Sequence, residues 1–377
     1  MNFNQRAAAL EDGFRSRWAP ALLAPAWLSY QAARTRKAYV PALRRSSRKP
    51  VLRVAVELVA HGLRWRCLPF HYLRYGLYDP GVSWKDTWAF LPETVFYYRL
   101  LARGNRHSVL LDDKVVCKQL LAAGGVPQPE LLLWGEGQSC MVASGERIGI
   151  ETAFDQFDEG LPLVIKPARY SSGGEGVQIL KTAAGRVVDE AGNMFSLRAY
   201  AQHWGPWLVE RMVVQRSDLA ELNSASLNCF RVITIPDADR GRRTAYVVLK
   251  LGAGAGLVDN AHDGGLYVRV DPVSGRLDRD AFDETFTRHQ HHPHTKVRFD
   301  QVRIDGISAV VAAAERAAAL FPQQALIGWD IALTEGGPTI IEGNSSPGLT
   351  NIQRTHGGQA DLLRTALTRP VHDRGRT

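Results

Sequence analysis

The most informative stretch of the sequence is residues 327–344, IGWDIALTEGGPTIIEGN. Two apolar runs flank a turn-rich centre, which is the signature of a β-hairpin. The pattern places Asp330 inside the first run and Glu342 and Asn344 at the end of the second. Glu342 and Asn344 are two residues apart, so their side chains share one face of the strand. Two carboxylates and one amide oxygen are hard ligands that suit magnesium, so the hairpin predicts a magnesium site.

The alternative for this hairpin is an acidic residue at each end, exposed to water. Asp330 lies between Trp329 and Ile331 in an apolar run. Carboxylates seldom occupy such runs unless they are paired or bound to a metal. The context of Asp330 therefore favours a ligand over a solvated side chain.

Residues 163–180 predict a strand, a glycine-rich loop and a returning strand. The first run ends in Lys166, and Pro167 cannot continue a hydrogen-bonded ladder. Glycines in the loop let the backbone approach a ligand, and successive N–H groups there form an anion-binding concavity. Because the loop joins two strands, it is neither a P-loop nor a Rossmann turn. We interpret it as a phosphate-gripping lid whose candidate contacts are Lys166, Ser172, Gly173, Gly174 and Gly176; an ordinary hairpin with a flexible tip is the alternative.

Together these motifs resemble the ATP-grasp superfamily, and more narrowly the sugar-transfer-associated ATP-grasp proteins. Those proteins carry an Asn-x-x-Arg strand, an Asp-Asn…Gly-Gly segment, a Gly-Trp-Asp strand and a Glu-Gly-Asn-x-x-Pro-Gly turn. The matching segments here are Asn228–Arg231, Asp259-Asn260 with Gly264-Gly265, Gly328–Asp330 and Glu342–Gly348. The resemblance spans roughly residues 108–354 and implies an α+β ATP-grasp fold with a lid subdomain and a core antiparallel sheet. We expect divisions at 1–107, 108–208 and 209–377, with a basic, largely helical N-terminal region.

The resemblance also implies how a nucleotide is held after the strand at residues 207–213. The adenine amino group meets Glu210 or a neighbouring carbonyl, in a hinge that includes Met212. The Val213 amide meets an adenine nitrogen. Asp218 binds the ribose hydroxyls, with Glu221 as the alternative.

One helix is predicted between Ser108 and Gly125, with Asp112 as its N-cap. Lys114 lies in its first turn, where a lysine opposes the helix dipole unless an anion joins it. The resemblance gives Lys114 a contact with α- and β-phosphate oxygens. Lys118 is the competing candidate, and a surface lysine is the plain alternative.

Two β-rich runs supply the candidate catalytic side chains. Arg231 lies in the first run. A guanidinium can donate bidentate hydrogen bonds to two phosphate oxygens, and it stays positively charged. Lys250 ends the second run. By resemblance Arg231 stabilises the transferring phosphoryl group, while Asn260, with Gly264 and Gly265, shapes the acceptor pocket.

The implied reaction is ADP-forming carboxylate–amine ligation through an acyl phosphate, with ATP and magnesium. It would join an amino acid to a sugar-bearing or peptide acceptor in polysaccharide or secondary-metabolite biosynthesis. A phosphotransferase acting on a hydroxyl is one alternative. A non-catalytic nucleotide-binding component of a polysaccharide assembly system is the other.

Composition favours a cytoplasmic enzyme. The four cysteines form no Cys-x-x-Cys pair, and we interpret them as buried thiols in a reducing compartment, neither a disulfide framework nor a zinc site. No signal peptide is expected, and the apolar stretch at 18–33 is interrupted by Pro20 and Pro25 and is too short to span a membrane. The histidines at 289–294 are not spaced like a helical or finger zinc site; His262 is a better candidate for a substrate contact.

Positive charge is concentrated at the N-terminus. Residues 1–80 hold fourteen Lys/Arg and four Asp/Glu, a net of +10, against +8 for the whole chain. The basic clusters at 34–37 and 44–49 are of the kind that bind acidic polymers or membrane surfaces. We expect an acidic glycan, a lipid-linked acceptor or peripheral contact with the inner face of a membrane. Nucleic acid, such as an aminoacyl-tRNA, ranks lower because no nucleic-acid motif accompanies the charge; a solvated basic face is the plain alternative.

Overall fold

The structure is a computed structural model that describes residues 48–169, 171, 174–183, 186–252, 265–283 and 287–368. Five predicted site residues lie outside the described residues: Ser172, Gly173, Asn260, His262 and Gly264. Most of the basic N-terminal sequence also lies outside them. Within the described part of the chain, no helix is long and apolar enough to cross a membrane.

The described N-terminal residues are helical, as predicted. Beyond the first helix, the segments are short and Tyr72, Tyr75, Leu77 and Tyr78 form a small aromatic core beneath them. A π-helical segment, Phe96–Leu101, connects them to the rest of the molecule. The helices are α1 (Val51–Trp65), α2 (Phe70–Arg74), α3 (Trp84–Thr87), α4 (Glu93–Val95) and α5 (Ala102–Gly104).

Lys49 corrects the expectation of a continuous basic surface at 44–49. Its ammonium is buried and lies 2.8 Å from Glu57 Oε2, and it also donates to the Leu77 carbonyl at 2.9 Å. The backbone N–H of Lys49 donates to the Tyr78 carbonyl. Lys49 therefore anchors α1 to the aromatic core and is not part of a solvated basic face.

The helix predicted between Ser108 and Gly125 is two helices, α6 (Val109–Asp112) and α7 (Lys114–Ala123). The predicted N-cap, Asp112, is wrong by one residue. Asp113 has extended backbone angles and its Oδ1 accepts from the N–H groups of Val115 and Val116. A side chain in that position satisfies helical N–H groups that otherwise lack a partner.

The first sheet contains seven antiparallel strands in the order β3-β2-β1-β7-β4-β5-β6. Helix α8 (Leu197–Trp204) packs on it, and Trp207, Leu163 and Ile165 are fully buried in the shared core. The strands are β1 (Leu131–Glu136), β2 (Ser139–Val142), β3 (Arg147–Gly149), β4 (Pro162–Pro167), β5 (Gln178–Ala183), β6 (Arg186–Asp189) and β7 (Trp207–Arg211).

The second sheet also contains seven antiparallel strands, in the order β12-β11-β10-β9-β8-β13-β14. Its strands are β8 (Cys229–Asp237), β9 (Gly241–Leu251), β10 (Leu266–Val270), β11 (Leu277–Phe282), β12 (Arg288–His289), β13 (Ile327–Thr334) and β14 (Gly337–Asn344). The predicted hairpin at 327–344 is therefore confirmed as β13 and β14.

Helices cover the second sheet and join it to the N-terminal helices. The alanine-rich helix α10 (Ile307–Ala319) packs closely because its buried alanines have small side chains. Gln353 exchanges two hydrogen bonds with the backbone of Leu91, which ties the N-terminal helices to the core. The remaining helices are α9 (Ser217–Leu222), α11 (Leu349–His356) and α12 (Ala360–Thr368).

Candidate functional site

Glu210 is the centre of a buried charge cluster on the first sheet. Its two carboxylate oxygens lie 2.6 Å from Lys166 Nζ and 2.7 Å from Lys118 Nζ. Burial alone would raise the pKa of Glu210, but the charges and hydrogen bonds of Lys118 and Lys166 hold it below its usual range. Burial lowers the pKa of Lys118, and Glu210 opposes that shift. Each charged group of the cluster has a partner, which offsets the cost of burying it.

Strand pairing explains how this cluster forms. β4 and β7 are neighbours, and the register pairs Val164 with Glu210 and Lys166 with Leu208. Lys118 lies on α7, one turn after Lys114. On sequence grounds it is the competing candidate for the phosphate contact; in the structure it forms an ion pair with Glu210.

Lys114 lies where α7 begins, close to the glycine loop. Its Nζ donates to Ser171 Oγ at 3.0 Å, and its backbone N–H donates to the Ala168 carbonyl at 2.9 Å. Burial lowers the pKa of Lys114, while the nearby charge of Glu342 opposes that effect and the charge of Lys166 adds to it. Lys114 is therefore close enough to interact electrostatically with Lys166 on the first sheet and with Glu342 on the hairpin of the second sheet.

The glycine loop joins β4 to β5, which pair antiparallel from Pro162–Lys181 to Ile165–Gln178. The predicted strand–loop–strand arrangement is thus present. Gly176 has a φ of +76°, and a Cβ there would come within 2.7 Å of Pro167 Cγ and 2.8 Å of Trp204 Cε2. Tyr200 also donates to the Gly176 carbonyl at 2.6 Å. Only glycine fits this end of the loop, because both the backbone angle and the space exclude a side chain.

The hinge residues follow β7 directly. The Met212 N–H donates to the Pro162 carbonyl at 3.1 Å. The N–H of Met212 is therefore engaged within the first sheet, and the adenine contact predicted for the Val213 N–H stays a prediction. Asp218 accepts from Arg216 Nε at 2.7 Å and Nη2 at 2.6 Å on the exposed start of α9. Its predicted ribose contact would have to share the carboxylate with Arg216.

Arg231, Asp330 and Lys250 form a second charged cluster on the second sheet. Arg231 donates to Asp330 through Nε and Nη2, the latter at 2.8 Å. Lys250 Nζ lies 3.4 Å from Asp330 Oδ2. Burial would raise the pKa of Asp330, but the charges of Arg231 and Lys250 hold it well below its usual range. β13 lies beside β8 with Asp330 opposite Arg231, so the register creates this ion pair.

Glu342 and Asn344 lie beside this cluster on β14. Asp330 is the register partner of Glu342, and Ile331 pairs with Ile340, so Ile341 is an extra residue in a β-bulge. Asn344 Nδ2 donates to Glu342 Oε1 at 3.3 Å. A Cβ at Gly343 would lie 2.7 Å from Trp329 Cζ3 and 2.8 Å from Leu111 Cδ2, so glycine is required between the two polar side chains.

These residues fit a magnesium ion in their donor chemistry. Asp330, Glu342 and Asn344 supply carboxylate and amide oxygens. A carboxylate has about four lone-pair sites, so the ion pairs and hydrogen bonds of Asp330 and Glu342 leave acceptor capacity for a metal. Among the described residues there is no group of three or more His, Cys, Asp or Glu side chains able to hold a metal. A set with only two carboxylates suits magnesium that completes its shell with water and phosphate oxygens.

The histidines near residue 290 have structural contacts. His289 Nε2 lies 2.9 Å from Asp283 Oδ2. His292 is buried, and its Nε2 lies 2.8 Å from the Gly252 carbonyl. Burial lowers the pKa of His292. These separate partners account for two of the four histidines without a metal.

Two contacts around the site had little signal in the sequence. Ser171 meets Lys114 across the loop, and Arg169 Nε lies 2.5 Å from the N-cap carboxylate Asp113 Oδ2. Lys118 could have been ranked higher, because it lies four residues after Lys114 and so on the same helical face.

A family model matches most of the chain. Residues 96–362 match the family described as sugar-transfer associated ATP-grasp. The chain belongs to this family, and its α+β fold is the ATP-grasp fold. No curated protein sequence matches the chain significantly.

Solved structures show distant similarity. They include biotin carboxylase from Campylobacter jejuni in a β,γ-ATP complex (13% identity, TM-score 0.42, covering 69% of this chain and 47% of that one). An L-amino acid ligase from Bacillus licheniformis has 14% identity and a TM-score of 0.39, covering 70% and 50%. D-alanine–D-alanine ligase from Bacillus anthracis, complexed with ATP, has 14% identity and a TM-score of 0.38, covering 71% and 69%. The chain spans about half the length of the first two.

Proposed function

We propose that this protein is an ATP-dependent, ADP-forming carboxylate–amine ligase. The observation that carries the proposal is the neighbourhood of Lys114. Its Nζ donates to Ser171 Oγ in the glycine loop of the first sheet at 3.0 Å, and its helix, α7, packs against β14 of the second sheet. A triphosphate lying between the sheets would meet lysines on one side and oxygen ligands for its metal on the other.

The lysines suit the phosphate chain. Lys166 and Lys118 share one carboxylate, so the pair carries a net positive charge around Glu210. Lys114 adds a third cation at the start of α7. Such a cluster attracts an anion strongly because it is shielded from water. Adenine would then contact the backbone after β7, since both oxygens of Glu210 already face lysines.

Arg231 suits the transferring phosphoryl group. Its guanidinium has more N–H donors than its two bonds to Asp330 use. Asp330 fixes the guanidinium plane, so little reorganisation is needed when charge develops on the phosphoryl oxygens. Lys250 lies beside the same carboxylate and adds positive charge. Magnesium held by Asp330, Glu342 and Asn344 would neutralise phosphate charge.

In the proposed reaction a substrate carboxylate oxygen attacks the γ-phosphorus and the bond to the β-phosphate oxygen breaks. The products of this step are an acyl phosphate and ADP. An amine then attacks the acyl carbon, inorganic phosphate leaves, and the amine proton goes to the departing phosphate. The substrates would be an amino acid and a sugar-bearing or peptide acceptor, in polysaccharide or secondary-metabolite biosynthesis.

The test is ADP release by the purified full chain across a panel of carboxylates crossed with amines. The proposal expects release that requires one member of each class, together with an amide product detected by mass spectrometry. A phosphorylated hydroxyl compound formed without any amine would identify a phosphotransferase and overturn ligation. Tight ATP binding without turnover across the panel would instead indicate a non-catalytic nucleotide-binding component.

A further inference from the structure

Helix α1 presents an apolar stripe to solvent and buries polar side chains on its other side. Its buried residues are Glu57, His61 and Trp65. Its outward stripe is Leu52, Val56, Val59 and Leu63, with Val51 beside it, and these side chains are between 57% and 78% exposed. The spacing of 52, 56, 59 and 63 follows one helical face. An ordinary surface helix has the opposite arrangement.

Buried polar contacts hold α1 in this orientation. Glu57 accepts from Lys49 at 2.8 Å, from Arg53 at 2.8 Å and from the Tyr72 hydroxyl at 2.5 Å. Rotating the helix to cover the apolar stripe would expose Lys49 and Glu57 and break their bonds.

The opposite end of the inward face is fixed in the same way. His61 Nδ1 lies 3.0 Å from His71 Nε2, and His61 Nε2 lies 3.0 Å from Thr87 Oγ1. Its ring also stacks on Trp88 at 4.2 Å. The outward stripe is therefore a fixed feature of the folded protein.

Positive charge flanks the stripe. Arg48, Arg53, Arg64 and Arg66 are exposed. Glu57 is the only acidic residue between positions 48 and 78, and it is buried. A helix with an apolar stripe, exposed arginines and its one carboxylate buried is complementary to an anionic lipid surface.

We propose that α1 is a membrane-docking helix, with its outward stripe inserted among the headgroups of an anionic bilayer. The helix is about 22 Å long at fifteen residues, shorter than the roughly 30 Å hydrocarbon core, so it lies in the plane of the interface. Two other candidates could cover the stripe: residues 1–47 of the same chain and a second copy of the protein. Charge repulsion disfavours both, because residues 1–47 carry eight Lys/Arg and two Asp/Glu, and a second copy would bring the same arginines together. This docking is independent of the reaction that the site performs.

The first experiment is co-sedimentation of the full chain with vesicles. We expect binding to phosphatidylcholine–phosphatidylglycerol vesicles, weaker binding at high salt, and little binding to phosphatidylcholine alone. The variant Leu52→Ser/Leu63→Ser should bind the anionic vesicles at least about tenfold more weakly, because affinity follows the buried apolar area. The matched control, Met194→Ser/Val273→Ser, removes two exposed apolar side chains elsewhere and should bind like the unmodified protein. Equal vesicle binding by both variants would overturn the proposal.

A fluorescent probe on α1 distinguishes the three candidates to cover the outward stripe: an anionic membrane, another part of the same chain and a second copy of the protein. Leu63→Cys is labelled with an environment-sensitive dye in a Cys67→Ser background, because Cys67 is the one native cysteine that is not buried. The proposal expects a blue shift only when anionic vesicles are added. A blue shift without vesicles overturns it. If that shift is independent of protein concentration, the chain covers its own stripe; if it grows with concentration, a second copy does.

Discussion

Asp330 shows how one side chain serves both the fold and the proposed chemistry. It is buried in an apolar strand, and it is ionised because Arg231 and Lys250 contact it. The ion pair fixes Arg231, while the carboxylate keeps acceptor capacity for a metal. Removing the charge of Asp330 therefore affects the arginine as well as the metal.

We expect Glu342→Gln and Asp330→Asn each to lower turnover by at least about a hundredfold, because each keeps the shape of the side chain and removes a charged metal ligand. ADP release at ordinary magnesium is the measurement. Glu335→Gln is the control, since Glu335 is exposed in the turn of the same hairpin. Near-normal ADP release by Glu342→Gln, with circular dichroism unchanged, would contradict the assignment of the metal site.

The buried histidines predict an acid-sensitive N-terminal region. Burial lowers the pKa of His61 to about 4 and that of His71 to about 3. Between the ordinary histidine pKa of about 6.5 and these values, the unfolded chain binds protons that the folded chain does not. The free energy of unfolding should therefore fall as pH falls through this window, by about 2 kcal/mol per histidine at about pH 5.

Denaturant melts across this pH range test the prediction. His71→Gln removes one titrating group and should flatten the pH dependence. His203→Gln, an exposed histidine on α8, should leave it unchanged. If His71→Gln and the unmodified protein share one pH profile, the histidine pair does not set the acid sensitivity.

At the scale of elements, the strand–loop–strand of β4 and β5 is where a lid would act. Lys166 is the penultimate residue of the first strand, and Ser171 in the loop that follows accepts a hydrogen bond from Lys114. Gly176 has a conformation and a close contact that only glycine tolerates. The returning end of the loop is thus fixed at Gly176.

We expect amide exchange across residues 171–176 to slow when an ATP analogue and magnesium are added, because glycine-rich lids close on their ligand. Lys166→Ala should weaken ATP binding in the same assay conditions. Lys181→Ala, an exposed lysine on β5, is the matched control and should bind ATP normally. Unchanged exchange with the ligand bound would show that this loop is not a lid.

At the scale of the whole molecule, the charge is divided between two regions. Residues 1–80 carry +10 and the rest of the chain sums to −2. Lys49 does not belong to the exposed part of that charge, because it is buried against Glu57. A charge-reversal test should therefore omit Lys49, since an unpaired buried Glu57 would destabilise α1.

We expect Arg44→Glu/Arg45→Glu/Arg48→Glu to raise the KM for a polymeric or lipid-linked anionic acceptor and leave the KM for ATP unchanged. The variant should also lose most of the salt sensitivity of acceptor kinetics, because the Debye length falls from about 10 Å at 0.1 M to about 3 Å at 1 M. Steady-state kinetics at both salt concentrations measure this. Acceptor kinetics that match the unmodified protein at every salt concentration would identify these arginines as a solvated face.

The amino-acid sequence alone predicted the elements that carry the site. Alternating apolar and turn residues gave the hairpin of Asp330 and Glu342, and the glycine run gave the loop after Lys166, because both depend on neighbours within a few residues. The N-cap was misplaced from Asp113 to Asp112, since adjacent aspartates have the same propensity and only the backbone angles distinguish them.

Tertiary structure decided which charges are partners. Lys166 and Glu210 are 44 residues apart, and Arg231 and Asp330 are 99 apart, so strand register and burial select these pairs. The same holds for α1, since an amphipathic surface helix ordinarily packs its apolar side on the core. The buried bonds of Glu57 and His61 reverse that orientation, because turning the helix would leave their interior partners Tyr72 and His71 without these bonds.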